Sequence, residues 1–188
     1  MKIMNIFFIS ALISTAAVNS QITKGNWLVG GTGNFSSYEN KSSNNGIENI
    51  NKGFGINISP NIGYFLANRF AAGSTVNLGS SMPKDFENSF SYGIGPFTRY
   101  YFLEEDKRVN IFLQANYIFG ASQSQSGNNK SKSHGYGFKT GPAIFFNSSV
   151  ALEITLEYNA GKLTPDGLES SSYNNLQIGL GFQIHLIK

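Results

Sequence analysis

The last stretch of the chain, Leu176–Lys188, alternates between apolar and polar or small side chains. Even positions from Leu176 to Leu186 carry leucine, isoleucine or phenylalanine, and odd positions from Gln177 to His185 carry glutamine, glycine or histidine. Because side chains alternate across a β-strand, this pattern predicts a strand with one apolar and one polar face. The apolar face of such a strand either joins a protein core or, in a membrane barrel, meets lipid while the polar face lines the lumen.

Seven earlier stretches alternate in the same way, so the sequence predicts eight strands. Their inward faces carry glycine and polar or charged residues, whereas a soluble ligand-binding barrel would need an apolar lumen. We therefore expect an all-β fold, an eight-stranded antiparallel up-and-down transmembrane β-barrel. The seven stretches are Lys24–Ser37, Lys52–Phe65, Phe70–Ser80, Phe90–Leu103, Val109–Gly120, Ser133–Phe146 and Val150–Ala160.

The connections between the stretches alternate in length. Long connections rich in Ser, Asn and Gly predict four extracellular loops, and short ones predict tight turns, the layout typical of outer-membrane barrels. Both chain termini then lie on the periplasmic side with the turns. Aromatic residues near both ends of the stretches predict girdles at the two lipid–water boundaries. The predicted loops are Tyr38–Asn51, Ser81–Ser89, Ala121–Lys132 and Gly161–Ser172, and the predicted turns are Leu66–Arg69, Glu104–Arg108 and Asn147–Ser149.

The first twenty residues have the features of a secretory signal. Lys2 precedes the apolar run Ile3–Val18, and small residues follow the run up to Ser20. We expect residues 1–20 to be a cleaved signal peptide for Sec-type export and residues 21–188 to form the barrel domain. A retained membrane helix is the alternative, although the run is shorter than the ~20 apolar residues that a spanning helix needs.

Composition argues against several kinds of site. The chain has no cysteine and two histidines, which predicts no disulfide, no thiol chemistry, no metal site and no cofactor. Its formal net charge of +3 is small and scattered, so we expect no nucleic-acid binding. Pro60, Pro96 and Pro142 lie inside the second, fourth and sixth stretches. Because proline cannot donate to a β-ladder, we expect bulges or weak pairing at these positions.

Four charged residues on the inward faces form a candidate charge network in the lumen: Arg99, Lys139, Glu153 and Glu157. The sixth and seventh stretches are neighbours, so Lys139 is expected to pair directly with the glutamates. Arg99, on the fourth stretch, would have to reach across a narrow lumen. We interpret the network as a structural plug of paired buried charges, and a gated or acid–base site is the alternative.

The histidines and the loop lysines allow further hypotheses. A lipid-modifying enzyme would need a His–Ser–acid arrangement at the outer rim. His134 adjoins Ser133, but adjacent side chains on a strand point apart, and His185 lies near the opposite end of the barrel. Lys41, Lys130 and Lys132 fall in predicted loops, where they either solvate the loop or contact anionic lipopolysaccharide.

The pattern resembles the small outer-membrane β-barrel family of Gram-negative bacteria, the OmpA/OmpX-like group. The stretch Ile58-Ser59-Pro60-Asn61-Ile62-Gly63-Tyr64-Phe65, a short turn and Ala71-Ala72-Gly73 are similar to hairpins of that family, and the likeness spans about Thr23 to Lys188. The resemblance implies a bacterial outer-membrane location, with outer-membrane lipid, lipopolysaccharide and the outer-membrane assembly machinery as partners. Many such barrels end in an aromatic residue that the assembly machinery recognises, whereas this chain ends in Lys188.

The sequence as a whole therefore predicts an integral outer-membrane barrel protein without enzymatic activity. Its expected role is to present extracellular loops, either for envelope structure or for an interaction at the cell surface, and the sequence identifies no particular extracellular partner. A small channel or permeability protein and a lipid-modifying outer-membrane enzyme are the alternatives.

Overall fold

Eight β-strands follow one another along the chain and pair in sequence order to close a barrel. The computed structural model describes residues 22–44, 47–84, 87–127 and 130–186, so the predicted signal peptide lies outside the described residues. No helix among these residues is long and apolar enough to cross a membrane. All neighbouring strands are antiparallel and β8 pairs with β1, which confirms the predicted eight-stranded up-and-down barrel. The strands are β1 (Trp27–Asn44), β2 (Ile47–Ala67), β3 (Phe70–Pro83), β4 (Ser89–Tyr101), β5 (Val109–Ser124), β6 (Lys130–Phe145), β7 (Val150–Pro165) and β8 (Ser171–Leu186).

The strands extend further from the short turns than predicted, and the predicted long loops are wrong. Strand structure covers most of Tyr38–Asn51, Ala121–Lys132 and Gly161–Ser172 and the start of Ser81–Ser89. These extensions are rich in Ser, Asn and Lys on both faces, so no apolar period marks them as strand. Backbone pairing nevertheless continues along them, as between Lys132 and Thr164. The connections at this end reduce to positions 45–46, 84–88, 125–129 and 166–170.

The strand register makes the barrel narrow and strongly tilted. Successive pairs lead from Leu28 through Gly63, Gly73, Phe97, Asn116, Gly137 and Asn159 to Asn175 on β8. Leu180 pairs with Gly33 across the closing ladder, so Asn175, five residues before Leu180, is level with position 38 of β1. The path of pairs that starts at Leu28 therefore returns to β1 ten positions further along the strand. A stagger of this size requires strands tilted by roughly 40° and leaves a lumen narrow enough for side chains to fill.

The outward faces form an apolar belt between two rings of aromatic side chains. At the turn end, the ring centroids of Trp27 and Tyr64 lie 5.2 Å apart and those of Tyr100 and Phe102 lie 5.3 Å apart. Trp27 and Phe35, one from each ring, are eight positions apart on β1. That separation corresponds to about 20 Å along the barrel axis at ~3.3 Å per residue and ~40° tilt. The exposed members of the second ring include Phe35, Phe54, Phe90, Tyr92, Tyr117, Phe119 and Tyr136. Tyr173, which the sequence pattern also placed at this end, has the inward parity of β8, and its hydroxyl lies beside Gly135 in the lumen.

The lumen is not polar along its whole length, which corrects the expectation from the sequence. Near the short turns it is filled by a cluster of buried, mostly apolar side chains that we call the lumen floor. Ile22 precedes β1 and closes this end, where its carbonyl accepts a 2.6 Å hydrogen bond from the backbone N–H of Arg69. The alternation that turns polar residues inward also turns these residues inward near the strand ends. The floor consists of Ile22, Leu28, Phe65, Ala71, Phe97, Tyr101, Phe112, Ala143, Phe145 and Ala151.

The three strand prolines weaken pairing without shifting the register. Pro60 pairs with Gly31 on β1, but the β2–β3 ladder has no pair between those of Ile58 and Asn61. Pro96 and Pro142 interrupt the ladders to β5 and β7 in the same way. The predicted weak pairing is confirmed, whereas a bulge at these prolines is wrong because the register is the same on both sides of each gap. The missing proline N–H removes a ladder donor without adding a residue.

Candidate functional site

Arg99 on β4 and Glu153 on β7 meet in the middle of the lumen. Arg99 Nη1 lies 2.5 Å from Glu153 Oε1, and Nη2 donates to Oε2 at 3.3 Å. Arg99 also donates from Nε to Gln114 Oε1 at 2.9 Å and from Nη1 to the Tyr101 hydroxyl at 3.1 Å. Gln183 Nε2 donates to Glu153 Oε2 at 3.4 Å. Both charged side chains are fully buried, and each has an opposite charge and neutral hydrogen-bond partners, as buried ions require.

The lumen floor packs directly against this ion pair. The Arg99 guanidinium carbon lies 4.2 Å from the centre of the Phe112 ring, within the range of a cation–π interaction. Tyr101 belongs to the floor and connects it to the network, since its ring centroid lies 6.0 Å from that of Phe112 and its hydroxyl lies 3.4 Å from His185 Nε2. The Phe145 ring lies 5.2 Å from the His185 ring. Charged and aromatic side chains thus form one continuous packed layer across the turn-end half of the lumen.

Lys139 on β6 and Glu157 on β7 form a second ion pair nearer the other end. Lys139 Nζ lies 3.0 Å from Glu157 Oε1 and donates to Thr32 Oγ1 at 2.6 Å. Glu157 Oε2 accepts hydrogen bonds from Asn34 Nδ2 and Gln177 Nε2, each at 3.1 Å. The four predicted charges are therefore brought together as two pairs, and the arginine does reach across the lumen. Each cation forms an ion pair with one glutamate.

Glycines leave the space that these side chains occupy. A Cβ on Gly181 would lie 2.7 Å from Thr32 Cγ2 and 3.1 Å from Glu153 Oε2. A Cβ on Gly179 would overlap the side-chain oxygen of Asn34. Gly181 pairs with Glu153, and a Cβ on Gly179 would lie 3.2 Å from Glu157 Oε1, so these two glycines leave room for both carboxylates beside β8.

A polar cavity of about 310 Å³ begins at the Lys139–Glu157 pair and occupies the half of the lumen away from the short turns. We call this cavity the vestibule. Asn, Ser and Gln side chains line it together with glycines such as Gly135, where a Cβ would lie 2.9 Å from the Tyr173 hydroxyl oxygen. The vestibule offers many hydrogen-bonding groups and one charged pair at its inner end, so its chemistry suits water or small polar solutes.

Several buried polar atoms have no hydrogen-bond partner among the described residues. They include both amide atoms of Asn61, Gln183 Oε1 and His185 Nδ1, all in the lumen. Buried amides in such positions commonly bind internal water. Gln183 donates to Glu153 and His185 contacts the Tyr101 hydroxyl, so two of these three residues adjoin the charge network.

The two histidines lie far from each other and in different surroundings. His185 is buried beside the lumen floor, and its backbone N–H donates to the Ser149 carbonyl at 2.6 Å. His134 faces outward on β6, with its ring centroid 6.5 Å from that of Tyr117. Within the described ranges, no three His, Cys, Asp or Glu side chains are grouped closely enough to hold a metal ion.

The barrel fold is shared with solved structures of other proteins. The chain is similar to Neisserial surface protein A, with a TM-score of 0.61 and 20% identity over 86% of this chain and 97% of that one. It is also similar to the outer membrane protein OprG from Pseudomonas aeruginosa, with a TM-score of 0.52 and 10% identity over 88% and 98% of the two chains. The N-terminal β-barrel domain of OprF from the same organism gives a TM-score of 0.52 and 12% identity over 87% and 98%.

The fold is that of a small outer-membrane β-barrel. No protein-family model matches the sequence, and the search of curated proteins finds no match either. At these levels of identity the likeness concerns the arrangement of strands. What the lumen and the surface do must therefore be argued from the residues of this chain.

Sequence reasoning missed several members of the network that alternation could have identified. Tyr101 has the same parity as Arg99 and so must point inward with it. Thr32 and Asn34 likewise share one face of β1, but small polar residues among glycines gave no chemical signal. Their roles depend on which strands meet across the lumen, and the sequence pattern does not contain that information.

Proposed function

We propose that this protein is a non-enzymatic integral barrel of the bacterial outer membrane, with a closed lumen and a surface of extended hairpins. The observation that carries this proposal is the apolar belt that surrounds the barrel between two aromatic rings. The belt is about 20 Å high by the strand geometry given above, comparable with the ~25 Å apolar band of outer-membrane barrels. An apolar surface of this extent and position is expected to face lipid.

The export route is part of the same proposal. Residues 1–20 act as a signal peptide for Sec-type export, and the outer-membrane assembly machinery then inserts the barrel. The pairing of β8 with β1 from Trp27 to Gly33 supports insertion, because it closes the barrel over most of the apolar belt and supplies hydrogen-bonding partners to strand edges that face hydrocarbon.

The packed turn-end half of the lumen supports a barrel that does not conduct. Arg99, Glu153, Tyr101, Phe112 and His185 are all fully buried, which supports a lumen without a continuous water path across this layer. A conducting pore needs such a path. In this proposal the two ion pairs are structural, and together with the lumen floor they hold the barrel wall in one shape.

The strand extensions beyond the aromatic ring supply the outer surface. Lys130, Lys132 and Lys162 are exposed on neighbouring strands β6 and β7, and His134 pairs in register with Lys162. Clustered ammonium groups just outside the lipid boundary suit the phosphate groups of lipopolysaccharide. We infer that this basic patch contacts the headgroup layer, while the tips of the hairpins remain available for a surface interaction.

Membrane fractionation of the tagged protein tests the location and the closed barrel together. We expect an outer-membrane band that migrates faster on gels when the sample is not boiled. The refolded protein in planar bilayers should give no steady conductance. A soluble periplasmic band indifferent to heating would overturn the membrane location, and stable single-channel steps would overturn the closed lumen while leaving the location intact.

A further inference from the structure

The ladder between β1 and β8 stops well short of the other ladders. It runs from the Trp27–Leu186 pair to the Gly33–Leu180 pair, whereas β1 remains paired with β2 up to Asn44. β8 likewise remains paired with β7 back to Ser171. Among the described residues, β1 and β8 therefore separate above Gly33. The wall of the barrel has a lateral cleft there, which we call the seam cleft.

The seam cleft opens within the apolar belt, near its outer boundary. Gly33 is six positions above Trp27 on β1, and the outer ring residue Phe35 is only two positions further. Phe35 and Ile178 lie just beyond the last β1–β8 pair and are 67% and 70% exposed. Outward side chains of β5 that pair on both sides are less exposed, at 42% for Leu113 and 60% for Phe119. The separation of the two strands is therefore accompanied by greater exposure of the two side chains that face each other across it.

A cavity of about 350 Å³ occupies the seam cleft, at the lower end of the ~300–1,000 Å³ range of small-ligand pockets. Its outer part is lined by Phe35, Ile56, Ile58, Ile178 and Leu180. Its inner end is polar and contains Asn34 and Asn57, and Asn57 also lines the vestibule. The cavity thus runs from an apolar mouth in the belt to a polar end beside the lumen.

Asn34 lies at the inner end of the cleft and has one unused hydrogen-bond acceptor. Its side chain is 8% exposed, and Nδ2 donates to Glu157. Its Oδ1 atom is buried without a hydrogen-bond partner among the described residues. An acceptor in this state, beside a carboxylate, favours a ligand that brings hydrogen-bond donors.

We propose that the seam cleft is a binding site for a single-chain lipid whose head carries hydroxyl or ammonium donors. The chain lies along Ile58, Ile178 and Leu180, and the head donates a hydrogen bond to Asn34 Oδ1. The lipid comes from the outer leaflet, since the mouth opens inside the apolar belt close to its outer boundary. The inference rests on the membrane location proposed above.

Tryptophan quenching in phosphatidylcholine vesicles tests the site. Trp27 is the one tryptophan in the chain, so Trp27→Phe with Ile56→Trp places a single reporter in the cleft wall. The matched control is Trp27→Phe with Phe119→Trp, since Phe119 faces outward on β5 where both ladders are complete. The probe is a dibromostearoyl monoglyceride, and dibrominated phosphatidylcholine reports general contact with lipid.

We expect the monoglyceride to quench the cleft reporter saturably, at a mole fraction at least tenfold lower than for the control. The dibrominated methyl ester of the same chain has no hydrogen-bond donors, so it should need a mole fraction several-fold higher for the same quenching. Ile178→Phe adds bulk inside the cleft without adding a second tryptophan, so it should weaken the saturable quenching. Leu113→Phe, at an outward position of β5 that pairs on both sides, should not.

Equal quenching of both reporters by the monoglyceride would overturn the site. If brominated phosphatidylcholine quenched neither reporter, the membrane location itself would fail, which separates the two proposals. A methyl ester as effective as the monoglyceride would overturn the role of Asn34 in recognising the head.

Discussion

The two halves of the lumen are built from the same strands but are filled in different ways. In the turn-end half, Arg99 and Glu153 are enclosed by aromatic rings of the lumen floor and are fully buried. In the other half, Lys139 and Glu157 border a polar cavity of about 310 Å³. One ion pair is therefore sealed inside protein, and the other is beside a space that suits water.

This difference shows how a narrow barrel can combine a rigid plug with a hydrated chamber. A sealed charge depends on its partner, because removing the partner leaves an ion in a low-dielectric environment. A charge beside a polar cavity keeps alternative hydrogen-bond partners. Substitutions at equivalent places in the two halves should therefore have unequal effects, and the following predictions test that inequality in descending order of size.

Glu153→Ala should have the largest effect, because it leaves the Arg99 cation buried without its counter-ion. We expect a loss of about 3–5 kcal/mol in the free energy of unfolding. Urea titration of the protein refolded into phospholipid vesicles measures it. Glu104→Ala, at an exposed turn position paired with Lys107, is the matched control and should change stability little. A Glu153→Ala barrel as stable as the wild type would contradict a sealed plug.

Phe112→Ala should also destabilise the barrel strongly, since it opens a cavity in the lumen floor and removes the ring against Arg99. The expected loss is about 3 kcal/mol in the same urea titration. Phe119→Ala on the same strand faces outward and leaves no enclosed cavity, so its effect should be clearly smaller. Equal losses for the two variants would mean that the floor is not tightly packed.

Lys139→Met should cost less than half as much as Glu153→Ala, about 1 kcal/mol. Glu157 keeps the hydrogen bonds from Asn34 and Gln177 and adjoins the vestibule. A double-mutant cycle with Glu157→Gln measures the coupling between the two side chains. A loss as large as that of Glu153→Ala would remove the distinction between the two halves.

Pro96→Ala should have the smallest effect, within about 0.5 kcal/mol of the wild type. The new N–H can restore a ladder hydrogen bond to β5, but the unfolded chain gains conformational freedom, and the two contributions nearly cancel. Urea titration under the same conditions as for the other variants measures this difference in the free energy of unfolding. A stabilisation above about 1 kcal/mol would mean that the ladder gaps at the prolines weaken the barrel.

The alternation of side chains made the barrel predictable but left its ends and its interior contacts open. Parity alone identified Arg99, Lys139, Glu153 and Glu157 as inward. It could not assign one glutamate to each cation, because that depends on strand tilt and on the glycines of β8. The strand extensions escaped detection because backbone hydrogen bonds form them without an apolar period.

By itself, the sequence determined the strand number, the order of hairpins and which side chains face inward, because these follow from local periodicity. Only the tertiary structure decided that Arg99 reaches Glu153, that aromatic residues seal one end of the lumen, and that β1 and β8 separate above Gly33. These features depend on the closure of the barrel with a stagger of ten positions, which decides which strands face each other across the lumen. Local periodicity cannot predict that closure, because the closing ladder joins residues more than a hundred positions apart in the chain.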